Sequence, residues 1–324
     1  MTIETNSLSR NHMNSHKAIN ILCATDNNYV PYCGIMLTSV FENNKGYHVD
    51  AYVLVDTQLS DSSIMKFSEL EAKYDATIHY VHVMPTRFSA FPLHEEQHFT
   101  VAAYYRLAAA ELLPKDIDRI LYLDCDIVVN SSLRELWNLD IANYSTAVVD
   151  DMCSGLKSNF ERLKYDQSLR YFNSGVLLIN LDYWRKHQLM KQFEAYAIEH
   201  RDRILWPDQD VLNAVLLESK LHIGIEWNYQ MGFLKQSYFE TLSTSLQNEI
   251  RTTQPKILHY NQSKPWSVTY YNLPCNDVWH LYKNISPWKG IGDIYPSHKK
   301  INYFIKRWIL WPLGFMNQTD TIKR

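Results

Sequence analysis

Two aspartates separated by one residue, Asp124 and Asp126, close the apolar run Leu121-Tyr122-Leu123. In extended chain, residues i and i+2 point the same way, so both carboxylates are expected to face one point. Two like charges held that close are costly unless a cation lies between them. Carboxylate oxygens suit Mn²⁺ or Mg²⁺. Such an ion can clamp a diphosphate and neutralise the charge on a departing nucleotide diphosphate. His259, in the short run Ile257-Leu258-His259-Tyr260, offers a third ligand, and imidazole favours Mn²⁺ over Mg²⁺. A lone strand histidine is more often a satisfied core residue. Lys264 follows closely. It either meets a phosphate or is a solvated surface lysine.

These side chains need a frame. Apolar strand patterns fall at residues 18–25, 49–55, 77–83 and 119–123, with helical patterns at 30–43, 60–74 and 101–113 between them. Alternation of this kind predicts an α/β domain with a mostly parallel sheet covered by helices. Such sheets bind ligands beyond the carboxyl ends of their strands, where Asp124 falls. A second group follows: a short strand at 146–149, the apolar run 175–181, helices over 182–200 and 207–218, and a strand at 257–260. The 207–218 pattern opens with Pro and Asp, as a helix start should.

The chain has 324 residues, enough for one large α/β domain. Its five cysteines are odd in number and include no CxxC pair, which disfavours a zinc cluster or disulfide framework and suits a reducing compartment. Residues 1–17 are polar, lack the apolar run of a signal peptide and read as a disordered lead. From residue 283 onward, eight Lys or Arg stand against two Asp, so a chain of net charge −3 carries a local +6 at its end. Ile301, Phe304, Ile305, Trp308 and Ile309 fall on one helical face beside Lys306 and Arg307. This reads either as a basic amphipathic helix lying in an anionic membrane surface or as a helix packed on the main domain. The apolar run is too short to span a bilayer. The expected division is a lead over 1–17, a catalytic domain over 18–285 and a C-terminal helical appendix over 286–324. No nucleic-acid partner is expected.

Several segments together resemble glycosyltransferase family 8, especially bacterial lipopolysaccharide and lipooligosaccharide galactosyl- and glucosyltransferases. They are Ala24-Thr25-Asp26-Asn27-Asn28-Tyr29, the Arg106 segment, Leu121 to Asp126, Phe172-Asn173-Ser174-Gly175, Asp208-Gln209-Asp210, and His259-Tyr260 with Lys264-Pro265-Trp266. They occur in the family's order. The resemblance implies the GT-A fold, a Rossmann-like, mostly parallel central sheet flanked by helices, with a DxD metal site and retention of anomeric configuration. It implies that Asp124, Asp126 and His259 ligate Mn²⁺, with Mg²⁺ the alternative, and that the donor is a UDP-hexose. Ala24, Thr25 and Asp26 would contact uracil and ribose, Tyr29, Asp124 and Cys125 would also bind substrate, and Lys264 would contact the diphosphate. Arg106, Asn173, Asp150, Asp208 and Gln209 would surround the hexose, the last three as catalytic candidates, and His98 would shape the acceptor side. The loop 260–263 departs from the galactosyltransferase pattern, being one residue shorter and lacking its Gly-Pro. The implied acceptor is a lipopolysaccharide or other surface-glycan precursor, and the implied location is cytoplasmic, at the inner face of the membrane.

Retention needs either two inversions or attack from the front face. Two inversions require a nucleophile beneath the anomeric carbon. Gln209 is a poor one and Asp208 is the other candidate, so front-face attack is favoured. Two other functions fit parts of the sequence. Asp124-Cys125-Asp126-Ile127-Val128 also resembles the opening motif of haloacid-dehalogenase-type phosphatases, although over a hundred residues precede it here. A non-catalytic sugar-nucleotide-binding protein would keep the same scaffold.

Overall fold

The computed structural model describes residues 18–93, 100–262, 264–267, 275–292 and 294. The lead, His98 and the basic stripe beyond residue 294 lie outside the described residues.

Among the described residues, ten strands form two sheets: β1 (Ala18–Ala24), β2 (His48–Val55), β3 (Ala76–His82), β4 (Arg119–Leu123), β5 (Ile127–Val129), β6 (Thr146–Asp150), β7 (Phe172–Asn180), β8 (Lys220–His222), β9 (Tyr229–Gln230) and β10 (Ile257–His259). The large sheet has the order β3-β2-β1-β4-β7-β6-β8. All its pairings are parallel except those of β7, which runs antiparallel to both β4 and β6. The start of β7 therefore lies at the edge where β4 and β6 end. The small sheet has the order β5-β10-β9.

Both faces of the large sheet are covered, which is why its strands read as continuous apolar runs. Ile19, Ile21 and Cys23 of β1 pack with Leu121 and Leu123 of β4 into one core, while Leu22, Ile120 and Tyr122 face a second. Helix α1 (Val30–Asn43) begins with a proline in its first turn and is buried from Val30 through Phe41, Pro31 excepted. Asn43 at its end donates to Val129 O (3.0 Å) and Tyr282 Oη (2.7 Å), tying the small sheet and the helix Asn276–Ile285 to α1. Helix α2 (Asp61–Lys73) is capped by Ser60, whose hydroxyl accepts from Ser63 N, and buries only Phe67 and Leu70. It is a half-covered surface helix, as its mixed sequence requires.

Three expectations are refined. The 101–113 helix is a 3₁₀ segment, Val101–Ala108, followed by one α-turn, Ala109–Leu112. The 182–200 helix breaks at Gln188, whose φ of +50° ends one helix and starts the next. Trp288 belongs to the domain rather than to an appendix starting at 286. It is buried, its ring meets Phe67 at 5.1 Å, and a Cβ on Gly34 would lie 2.0 Å from it. Among the described residues, no helix is long and apolar enough to cross a membrane.

Candidate active site

A cleft of about 280 Å³ opens where β4 and β6 end and β7 begins. Asp124 leaves β4 with its N–H donated to Gly175 O at 2.9 Å. Cys125 and Asp126 form a turn, so the two carboxylates converge through that turn and not through strand alternation. The small sheet brings in the third member. β5, directly after Asp126, pairs antiparallel with β10, setting His259 opposite Ile127, and Tyr260 N donates to Asp126 O at 2.9 Å. His259 Nε2 then lies 3.3 Å from Asp126 Oδ1 and 3.8 Å from Asp124 Oδ2. One ligand atom from each of these residues lies within 4.8 Å of the other two.

The surrounding charges lock this triad. Arg106 is buried, with Nη2 donating to Asp124 Oδ1 (2.9 Å) and Nη1 to Ser174 O (2.7 Å). Its Nε stands 3.2 Å from Asp208 Oδ2 in an ion pair poorly aligned for a hydrogen bond. Its guanidinium sits 4.1 Å over the Tyr122 ring, and Tyr122 Oη donates to Asp124 Oδ1 (2.8 Å). Burial alone would lower the Arg106 pKa, but Asp124 and Asp208 carry it upward, so it is a permanent cation. Burial would likewise raise Asp126, yet Lys264 and His259 hold it well below the usual carboxylate range. Lys264 Nζ contacts Asp126 Oδ2 directly. Burial raises the Asp208 and Asp151 carboxyls. Four aspartates (124, 126, 151 and 208) against Arg106 and Lys264 leave the cleft a formal −2 among the described residues, which a divalent cation matches. Two carboxylates and one imidazole are a donor set that fits Mn²⁺.

The structure brings Asp124, Asp126, His259, Arg106, Asn173, Asp208, Gln209 and Lys264 together on this cleft. Asp150 is not among its lining residues. Its carboxylate is held by Arg170 Nη2 (2.6 Å) and His222 Nδ1 (2.8 Å), and the next residue, Asp151, faces the cleft instead. Strand alternation turns neighbours to opposite sides, and β6 also shifts register between Ala147 and Val149. At the end of β1, Cys125 Sγ donates to Ala24 O (3.1 Å), holding that strand end beside the turn. Thr25 is buried, and Asp26 Oδ1 accepts from Asn28 N (2.9 Å) and Tyr29 N (2.8 Å), shaping the entry to α1. Burial and then Asp126 raise the Tyr29 phenol, which stays protonated beside the acidic pair. Tyr29 and Tyr32 also pack on Trp266, Tyr32 stacked at 3.8 Å, anchoring the Lys264 loop to α1.

Sequence reasoning passed over Asp151, Ser174 and Trp206, which line the cleft, and Asn228, which meets His259. Asp151, beside a chosen Asp, and Ser174, within the Asn173-Ser174-Gly175 segment, carried a local signal. All five cysteines are free, and Cys23 Sγ and Cys33 Sγ lie 3.6 Å apart as thiols.

A doubly covered α/β sheet with an Asp-Asp-His triad at its carboxyl edge has the GT-A architecture of the glycosyltransferases. Its fold matches the solved structure of the galactosyltransferase LgtC in complex with donor and acceptor sugar analogs, with a TM-score of 0.73 at 23% identity over 87% of this chain and 99% of that one. The sequence profile of glycosyl transferase family 8 matches residues 20–269, and the chain belongs to that family. It is 30% identical to an Escherichia coli lipopolysaccharide 1,2-glucosyltransferase over 283 residues, covering 86% of this chain and 82% of the relative. It is 29% identical to general stress protein A of Bacillus subtilis (strain 168), over 87% of this chain and 98% of that protein. Family membership sets the phosphatase alternative aside.

Proposed function

We propose that this glycosyltransferase moves a hexose, galactose or glucose, from its UDP-sugar to a glycan acceptor with retention of configuration, and that Asp124, Asp126 and His259 hold Mn²⁺, or Mg²⁺, for the reaction. The observation that carries the reading is the convergence of those three side chains at the carboxyl edge of the sheet. A divalent ion bound there offsets the negative charge that develops on the departing diphosphate.

The protein's own groups supply positioning and fixed charge. Lys264 Nζ, already against Asp126, reaches the same phosphates. Arg106 clamps Asp124 in one orientation and faces Asp208. Ala24, Thr25, Asp26, Tyr29 and Cys125 take the nucleotide side beyond β1, where α/β sheets bind such ligands. Asn173, Asp208 and Gln209 take the hexose side, with Asp151 in the place expected of Asp150. Front-face attack is supported by how the would-be nucleophiles are occupied. Gln209 Oε1 accepts from Asn173 Nδ2 (3.2 Å) and Ser174 N (3.1 Å), and Asp208 is paired with Arg106.

The lipopolysaccharide glucosyltransferase among the relatives supports a lipopolysaccharide or other surface-glycan precursor as acceptor. The basic composition after residue 294 supports peripheral attachment at the inner, anionic face of the cytoplasmic membrane. Removing residues 295–324 should release the chain from anionic vesicles and spare activity on a soluble acceptor; undiminished vesicle binding would refute the attachment. The central test is a screen of UDP-sugars with Mn²⁺, reading UDP release. Release from UDP-galactose or UDP-glucose, abolished by EDTA and by Asp126→Asn, is expected. Turnover indifferent to both treatments would overturn the reading.

A further inference from the structure

We infer that Asn228 is a positioning residue that keeps a proton on Nδ1 of His259 and so leaves Nε2 as the nitrogen that faces the acidic pair and can ligate a metal ion. The inference rests on the metal reading above and deepens it.

The polarity can be read atom by atom. A carboxylate only accepts hydrogen bonds, and a backbone N–H only donates. Asp151 takes Cys153 N on Oδ1 (2.7 Å) and the side chain of Asn173 on Oδ2 (2.9 Å), so the amide nitrogen of Asn173 must point toward Asp151. The Asn173 oxygen then points the other way, where it accepts from Gly175 N (3.0 Å), an independent check on the same assignment. That oxygen also accepts from Asn228 Nδ2 (2.9 Å). Asn228 is thereby forced to turn its own oxygen to His259 Nδ1, at 2.9 Å. An amide oxygen cannot donate, so Nδ1 holds a proton and Nε2 is the nitrogen available to the ion.

Burial makes the chain decisive. Asn228 is fully buried, and Asp151, Asn173 and His259 are nearly so, which leaves little room for water to substitute at any link. In such a low-dielectric setting a satisfied polar chain specifies one arrangement, and reversing one link would strand donors against donors. The fold delivers Asn228 by placing it directly before β9, the strand that pairs with β10 and so sits beside His259. A partner of this kind on a metal-bound histidine orients the ring and raises its basicity, and its loss typically lowers metal affinity by roughly 10–100-fold.

The test uses the full chain labelled with ¹⁵N-histidine, with His259→Gln to assign the signals, and Mn²⁺ alone as the probe. Long-range ¹H–¹⁵N correlations of the metal-free protein are expected to show His259 protonated at Nδ1. Titration followed by the electron paramagnetic resonance of free Mn²⁺ should show Asn228→Ala losing about 10–100-fold in affinity. Asn228→Asp, which keeps an oxygen against Nδ1–H, should recover most of that loss, a rescue that a purely structural role would not produce. A wild-type ring with no proton on Nδ1 overturns the inference, whatever the metal does. So does an Asn228→Asp protein that is folded yet as weak as Asn228→Ala, and this arm serves if the alanine variant does not fold. A wild-type chain with the Nδ1–H ring that binds no Mn²⁺ overturns the metal reading itself, and the positioning role of Asn228 falls with it.

Discussion

Replacing Gly175 by alanine places one methyl group where two of the three proposed ligand side chains already stand. The new Cβ would lie 2.3 Å from His259 Cε1 and 2.7 Å from Asp124 Oδ2, whereas ordinary contact begins near 3.4 Å. The ring must retreat by about 1.1 Å and the carboxylate by about 0.7 Å, unless the strand itself shifts. Gly175 does not have a positive φ, so alanine brings no backbone strain and the whole effect is steric. Neither neighbour is free to yield. His259 is held through Nδ1 by Asn228, and Asp124 through Oδ1 by Arg106 and Tyr122. Metal–ligand distances tolerate errors of only about 0.2 Å. A misplacement near 1 Å costs on the order of 100-fold in a positioned reaction, equivalent to about 2.7 kcal/mol. Overpacking should cost global stability about 1–3 kcal/mol. The expected result is a folded protein whose Mn²⁺ affinity and UDP-sugar turnover both fall about 100-fold, read by Mn²⁺ titration and UDP release alongside urea unfolding. Wild-type Mn²⁺ affinity in a folded Gly175→Ala protein would show that the ion does not sit between these side chains.

Other perturbations reach different parts of the molecule. Arg106→Met leaves Asp124 and Asp208 without their shared cation and should cost about 3–5 kcal/mol in urea unfolding; a loss under 1 kcal/mol would mean the pair is not truly desolvated. Lys220 is buried, with Nζ unbonded above the Phe172 ring, and burial pushes its pKa from the usual 10.5 down to about 8. Below about 8 the lysine is charged whether folded or not, and the full cost of burying that charge is present. Between about 8 and 10.5 only the unfolded chain holds the proton, so this term's stability rises with pH. Lys220→Met should therefore be more stable than wild type by up to about 3 kcal/mol at pH 7, with the gap closing by pH 10.5; a gap independent of pH would sink the account. Intact-mass measurement during turnover should find no hexose on the enzyme, and a single trapped hexose on Asp208 or Gln209 would overturn front-face attack.

The alternating runs through residue 123 were enough to specify the layered sheet and its carboxyl edge, because strands buried on both faces must be continuously apolar and helices between them must carry a stripe. The acidic pair was legible for the same reason: carboxylates at the end of a buried strand have few other uses. Other features depend on contacts distant in sequence. That Asp151 and not Asp150 enters the cleft turns on strand alternation and the β6 register shift, which composition does not reveal. Trp288 reads as tail until Gly34, over 250 residues earlier, is seen to lie beneath it. His259 was a candidate by type and order, but its place beside Asp126 is made by β5 pairing with β10 across more than 120 residues. Asn228 left no mark in the sequence at all, since a buried asparagine is defined by its partners, and here Asn173 and His259 come from two distant segments of chain. The sequence by itself determined which elements form and which residue types can hold a cation. Only the tertiary structure decided which side chains meet, because hydrogen-bond direction and close packing are properties of pairs distant in sequence, not of any local run.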